Sequence, residues 1–170
     1  MDFFWYVMGT VLLQRWGELL LAARNARIIR SLGGYEIGSG HYKFIVALHL
    51  LFFVSLVFEV VNGPRLLPVW WPYPFSCFVA AQLLRYWCIW SLGPRWNTRI
   101  LILPGSPPVA RGPYRFLRHP NYLVVAVELF ALPITFGAVL TAVMFTVLNG
   151  WMLLRVRIPA EERAVYAPKE

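Results

Sequence analysis

Arg118-His119-Pro120-Asn121-Tyr122 places a fixed cation, an imidazole, a helix-starting proline and a phenol within five residues. They close a polar, basic loop, Gly112-Pro113-Tyr114-Arg115-Phe116-Leu117 onward, that runs into an apolar stretch. About forty residues later comes Arg157-Ile158-Pro159-Ala160-Glu161-Glu162. The start of a helix offers free backbone N–H groups and the positive end of a dipole. Arg118 and His119 add donors there, which makes a site for a carboxylate or phosphate. Tyr114 and Tyr122 supply flat amphipathic faces. Two adjacent carboxylates, Glu161 and Glu162, accept from an amine or from ribose hydroxyls. A small zwitterion carrying a sugar would meet both halves. Taken singly, Arg-His-Pro also suits an ordinary loop, and Arg157 with Glu161 an ordinary surface pair; converging at one face of one hairpin, the two motifs are far more specific.

The elements that must bring them together are apolar. Hydrophobic residues make up 59% of the 170 and charged residues 14%, whereas a soluble domain is nearer half and a quarter. The expected fold is all-α: one domain, residues 1–170, a polytopic integral membrane bundle of about five helices. They are expected over about Phe3 to Ala23, Phe44 to Val61, Phe75 to Leu92, Pro120 to Leu132 and Ala138 to Arg155. A single helix from Asn121 to Arg155 would be ~52 Å long, too long for a ~30 Å hydrocarbon core. Pro133 to Gly137 is therefore read as a turn, and the fourth arm, ~18 Å long, as shallow or packed inside.

The net charge of +8 sits between the apolar runs, which fits membrane topology and anionic lipid head groups rather than nucleic acid. With the N-terminus outside, Arg24, Arg27, Arg30 and Lys43 form a first inner cluster and Arg95, Arg99, Arg111, Arg115 and Arg118 a second. Arg155, Arg157, Arg163 and Lys169 follow in the tail, so thirteen of sixteen cations share one side. Arg65 falls outside; Arg15 and Arg85 lie within helices. The positive-inside rule then puts both motifs in the cytoplasm. Met1-Asp2 lacks the basic start of a cleavable signal, and Arg15 and Glu18 interrupt the first apolar run. Cys77 and Cys88, eleven residues apart on one helix, stand ~16 Å apart, too far to bridge.

Arg15, Glu18, Glu59, Arg85 and Glu128 lie in or at the ends of apolar helices, where each costs ~2.5–3.5 kcal/mol at the bilayer centre unless it faces a partner, water or ligand. Arg15 and Glu18 share one helix face and suit a pair. Glu59 suits a structural place near an interface. Glu128 either pairs with Arg85 or lines a pocket as a general base. His41 and His49 are eight apart, a poor spacing for a metal; no metal is expected.

Gly-x-Tyr-Arg-x-x-Arg-His-Pro-x-Tyr, a hairpin and Arg-x-x-x-Glu-Glu together resemble the isoprenylcysteine carboxyl methyltransferase family and its phospholipid methyltransferase relatives, over roughly residues 95–163. Gln14-Arg15, Glu18-Leu19, Arg24-Asn25, His41-Tyr42, His49 and Trp96-Asn97-Thr98-Arg99-Ile100 look like the bacterial branch that O-methylates alkylpyrones or alkylresorcinols. The resemblance implies S-adenosylmethionine as cofactor, bound by the hairpin and tail on the cytoplasmic side of a bacterial inner membrane, with no Gly-rich Rossmann fingerprint. It implies cofactor contacts from Tyr114, His119 and Tyr122, with Pro120 setting the loop. Glu161 and Glu162 would hold the amino group or ribose, and Arg157 would order the tail. Where many relatives carry glycine soon after the motif tyrosine, this chain has Leu123-Val124.

In the reaction so implied, an acceptor oxygen attacks the sulfonium methyl, and alignment with exclusion of water supplies much of the rate. Arg115 or Arg118 would orient an anionic acceptor; a phenol would need a base, Glu128 or His119. The greasy acceptor would enter sideways from the bilayer, between apolar helices. Two other readings remain open: an NADPH-dependent reductase like the membrane sterol reductases, which share an Arg-His-x-x-Tyr pattern, and a non-catalytic protein whose arginines hold anionic lipid.

Overall fold

The computed structural model of the protein describes residues 1–64 and 66–166; Arg65 and Lys169 lie outside them. The fold is a helical bundle with one small sheet. In chain order it runs α1 (Asp2–Ser31), β1 (Tyr35–Ile37), α2 (Ser39–Asn62), α3 (Pro72–Leu92), β2 (Ile100–Ile102), α4 (Pro120–Thr135), α5 (Val139–Met152) and α6 (Ile158–Tyr166). Short 3-10 turns occupy Gly93–Arg95 and Gly112–Arg115, and a π turn, Leu153–Arg157, joins α5 to α6.

Among the described residues, three helical stretches are long and apolar enough to cross a membrane: Ser39–Asn62, Pro72–Arg95 and Val139–Ala164. Their outward faces expose large apolar side chains such as Leu50, Phe58, Leu83, Trp90 and Leu140, as lipid-facing helices do. The protein is a membrane protein. The hairpin expected after His119 is present, and α4 is its short arm: its 16 residues span ~24 Å. It continues through Pro133 to Thr135, three residues past the expected end, because the Phe136 and Ala138 N–H groups bond the Pro133 carbonyl at 3.0 and 2.9 Å. The reversal comes at Gly137, whose φ of +76° suits glycine.

α1 also outruns its expected end, by eight residues. Arg24, Arg27 and Arg30 therefore ride on its last turns rather than in a loop. Alanine, arginine and isoleucine are adequate helix formers whether or not the stretch is apolar. The helix stops at Gly33, with φ +83°, where the Gly34 N–H returns to the Ile29 carbonyl at 2.9 Å. β1 then pairs antiparallel with β2, Tyr35 opposite Ile102 and Ile37 opposite Ile100.

α3, α4 and α5 pack in sequence, and α2 closes on α5. The core between them includes Phe52, Leu56, Phe78, Leu129, Leu132 and Phe145. At one end Phe3 and Phe4 meet Phe136 with ring centroids 5.7 and 5.0 Å apart. At the other, the two strands, the Gly93–Arg95 turn, α6 and the basic end of α1 gather. Cys88 is buried and Cys77 exposed, both free.

Glu59 has the structural place expected of it. Its carboxylate accepts from the Leu140 N–H at 3.0 Å, the Thr141 N–H at 2.8 Å and the Thr141 hydroxyl at 2.6 Å. Those are orphan donors at the positive end of α5. Glu59→Ala is expected to cost ~1–2 kcal/mol of stability. This reads as a lowered thermal midpoint in detergent with unaltered ligand affinity below the transition.

Candidate functional site

A cavity of about 800 Å³ runs from the strand end of the bundle down between the helices, within the range of small-molecule sites. Its mouth is built by the hairpin. His119 caps α4, and Pro120, buried at the first helical position, contributes no N–H. The Tyr122 and Leu123 N–H groups both turn back to the His119 carbonyl, at 3.1 and 3.4 Å. The helix start therefore offers a ligand fewer backbone donors than its sequence suggests; side chains do most of the work.

Those side chains converge. Arg157 Nε donates to the Tyr122 hydroxyl at 3.0 Å, and Tyr122 in turn donates to Glu161 Oε2. His119 lies stacked on Tyr122 with ring centroids 5.3 Å apart. Its Nε2 is 3.4 Å from Glu162 Oε1 and its Nδ1 3.8 Å from Glu161 Oε2. Arg118 reaches Glu162 at 3.8 Å. A phenol has one proton to give. The order Arg157 to Tyr122 to Glu161 is thus fixed, and it leaves a carboxylate oriented at the mouth.

The π turn makes this possible. Pro159 has no N–H for the Arg155 carbonyl and would crowd it in an ordinary helix; the wider turn just before it relieves that contact. The turn also sets the buried Arg157 inward, where its NH2 donates to the Thr98 carbonyl at 2.6 Å. The segment that supplies Thr98 is itself held. Asn25 Nδ2 donates to the Trp96 carbonyl at 2.8 Å, Asn97 Nδ2 to the Ala22 carbonyl at 2.8 Å, and Tyr42 and Thr98 share a hydroxyl bond at 3.1 Å. Arg99 lies over the Tyr42 ring at 4.3 Å and pairs with Glu36 at 2.6 Å, which also takes Arg30 at 2.8 Å.

Tyr114 reaches the wall from its 3-10 turn because Gly112 presses that turn onto α3; a Cβ there would strike Ser91 and Trp87. Burial, with Cys88 beside it, pushes the Tyr114 phenol up from the ordinary tyrosine value, so it stays a neutral donor at physiological pH.

Of the residues expected to form the site, Tyr114, Arg118, His119, Tyr122, Glu128, Arg157 and Glu161 line the cavity, and Glu162 stands behind His119. Arg115 does not: it is exposed on the outer side of its turn and forms no part of the wall. Of the two arginines considered for orienting an acceptor, only Arg118 is among the residues that line the cavity. Sequence reasoning gave no role to the Thr98 carbonyl or to Glu36. Their partners are 59 and 63 residues away in the chain, and nothing local signals such distances.

Glu128 lines the deep wall inside a buried ion cluster. Its Oε1 accepts from Arg15 at 2.7 Å, Gln82 at 2.5 Å and Arg85 Nε at 2.9 Å, and its Oε2 from Arg85 NH2. Glu18 joins through Arg15 at 2.7 Å and Arg85 at 3.4 Å. Glu128 thus has the expected Arg85 partner and also lines the cavity.

α1 and α2 both line the cavity, yet they are not among the closely packed helix pairs. Leu12, Trp16 and Leu19 on α1, and Val46 and Leu50 on α2, face the cavity and are also exposed at the flank of the bundle.

The sequence model of the isoprenylcysteine carboxyl methyltransferase (ICMT) family matches residues 74–167, more than half of the chain. The protein belongs to the ICMT family. That is a methyltransferase family, and the matched span takes in nearly all of α3, the mouth residues and the whole of α6. An uncharacterized protein of Bacillus subtilis (strain 168), YpbQ, is 38% identical over 162 residues, covering 95% of this chain and 96% of that protein. An uncharacterized protein of Haemophilus influenzae Rd is 22% identical over 156 residues, covering 91% and 90%. No solved structure matches.

Proposed function

We propose that this ICMT-family protein is an S-adenosylmethionine-dependent O-methyltransferase acting on a lipid-soluble acceptor at the cytoplasmic face of a bacterial inner membrane. The observation that carries the reading is the mouth itself. An oriented carboxylate (Glu161), a cation (Arg118) and flat rings (Tyr114, His119, Tyr122) line a cavity whose α1 and α2 walls are also exposed at the flank of the bundle, and a second carboxylate (Glu162) stands behind His119.

The donor set fits the cofactor's chemistry. The ammonium and ribose hydroxyls need acceptors, which Glu161 and Glu162 provide; the carboxylate needs a cation, which Arg118 provides. When bound, S-adenosylmethionine supplies an electrophilic methyl group on a positively charged sulfur. Arg157, buried and bonded to Tyr122 and Thr98, holds the tail against the mouth, so that Glu161 is set before the ligand arrives. Preset groups contribute alignment. The acceptor reaches the methyl from the other side, its tail lying between Trp16 and Leu50 toward lipid. An alkylpyrone or alkylresorcinol, or a prenylcysteine carboxylate, has the required shape: one polar oxygen on a long apolar tail.

The test is methyl transfer by the purified protein in detergent, with radiolabelled S-adenosylmethionine and those acceptors beside phosphatidylethanolamine. Transfer to an oxygen acceptor supports the reading. No transfer to any of them, with lipid reduced by NADPH instead, would refute it. His119→Ala is expected to abolish transfer, a loss of at least ~10²-fold, while the protein still inserts in membranes. Wild-type rates would remove His119 from the site.

A further inference from the structure

The deep wall of the cavity carries an imidazole with one free nitrogen. His49 Nδ1 lies 2.8 Å from the Ile45 carbonyl. A carbonyl only accepts, so Nδ1 bears the proton and Nε2 of the neutral ring keeps a bare lone pair. No hydrogen bond to Nε2 occurs among the described residues, and the ring lines the cavity. His49 is two helical turns from Tyr42 at the mouth, ~10 Å along α2. It is flanked by Val46 and Leu50, which are also exposed at the flank of the bundle.

The other groups that could take a proton are occupied. Glu128 receives four donors, from Arg15, Gln82 and twice from Arg85, which fills the acceptor sites of a carboxylate. Glu18 receives Gln14, Arg15 and Arg85. His119 faces Glu161 and Glu162 at the mouth. The charged groups around His49 are Arg15 and Glu18 from α1, Arg85 from α3 and Glu128 from α4. They are two cations and two anions already joined to one another; α5 contributes the neutral Asn149 to the same wall.

We infer that His49 is the general base for a phenolic acceptor, an inference that rests on the methyltransferase reading above. Nε2 takes the hydroxyl proton as the acceptor oxygen bonds to the methyl carbon. The carbon–sulfur bond breaks with its electron pair going to sulfur, which leaves as a neutral thioether. The positive charge passes from sulfur to the imidazolium, which returns its proton to water after product release. An acceptor already ionised at neutral pH has no need of this step. The residue therefore selects for weakly acidic hydroxyls, of which a long-chain resorcinol is the type.

The test compares wild type with His49→Gln, which keeps a polar side chain but no basic nitrogen, on an alkylresorcinol and on an alkylpyrone. The pyrone's acidic enol is largely ionised at neutral pH. The variant is expected to lose on the order of 10²–10³-fold in kcat/KM on the resorcinol, and at least ten times less on the pyrone. The resorcinol loss should shrink as pH rises toward the phenol's own ionisation near about 10. In wild type the same rate should fall as acid protonates the base. Without cofactor, a long-chain nitrophenol should show its phenolate absorbance in the wild-type cavity at a lower pH than in the variant. Equal losses on both acceptors, no loss on the resorcinol, a wild type that methylates only the pyrone, or identical nitrophenol titrations would each overturn the inference. Binding of S-adenosylhomocysteine by the variant reports that it is folded. A wild type that binds none ends the methyltransferase reading, while the nitrophenol titration still reports on His49.

Discussion

Glu161→Gln with Glu162→Gln is expected to weaken binding of S-adenosylhomocysteine by roughly 30- to 1,000-fold, from the loss of charge on two hydrogen bonds worth about 2–4 kcal/mol together. The exchange isolates charge. Glutamine keeps an oxygen that accepts from Tyr122, so the Arg157–Tyr122 arrangement survives. Both carboxylates are partly open to water, with side-chain exposures of 30% and 40%, so the fold loses little with them. Calorimetric titration beside a thermal melt of the unliganded protein separates the two effects. Intact affinity in the double variant would place the ligand's ammonium elsewhere.

Arg85→Met is expected to cost about 3–5 kcal/mol of stability, because it leaves Glu128 buried with half of its donors gone. The Arg85 side chain is only 4% exposed and Glu128 10%. Adding Glu128→Met should recover much of the loss, since removing both members of a buried pair is far cheaper than removing one. Arg15 and Glu18 would remain paired with each other at 2.7 Å. The checks are denaturant or thermal unfolding in detergent for both single variants and the double. A double variant no better than Arg85→Met would show that the cluster's other members, not this pair, hold the helices.

Much of this arrangement is legible in the sequence. Pro120 and the break at Gly137 give the hairpin, because proline and glycine act locally on the backbone. The two motifs flank that hairpin, so His119, Tyr122, Glu161 and Glu162 must return to one surface. Arg85 and Glu128 betray each other because a lone charge in an apolar helix needs a partner. What stayed hidden depends on distance or on irregular backbone. Strands of three residues, Tyr35–Ile37 and Ile100–Ile102, are too short for an alternating pattern. The π turn at Leu153–Arg157 breaks the 3.6-residue period that would announce it. Glu59 caps a helix that begins 80 residues further on, and Arg157 finds a main-chain carbonyl, Thr98, that no side-chain pattern marks. The outward setting of Arg115 likewise follows from how its turn packs, which its neighbours in sequence do not state.

Isothermal titration of S-adenosylhomocysteine into the full-length protein in detergent, with NADPH as the comparison ligand, bears most directly on the cavity mouth as a cofactor site. Saturable one-to-one binding with a dissociation constant on the order of 1–100 μM is expected, together with a raised melting temperature and no response to NADPH. Absence of both heat and thermal shift at millimolar S-adenosylhomocysteine, or tight binding of NADPH in its place, would contradict it.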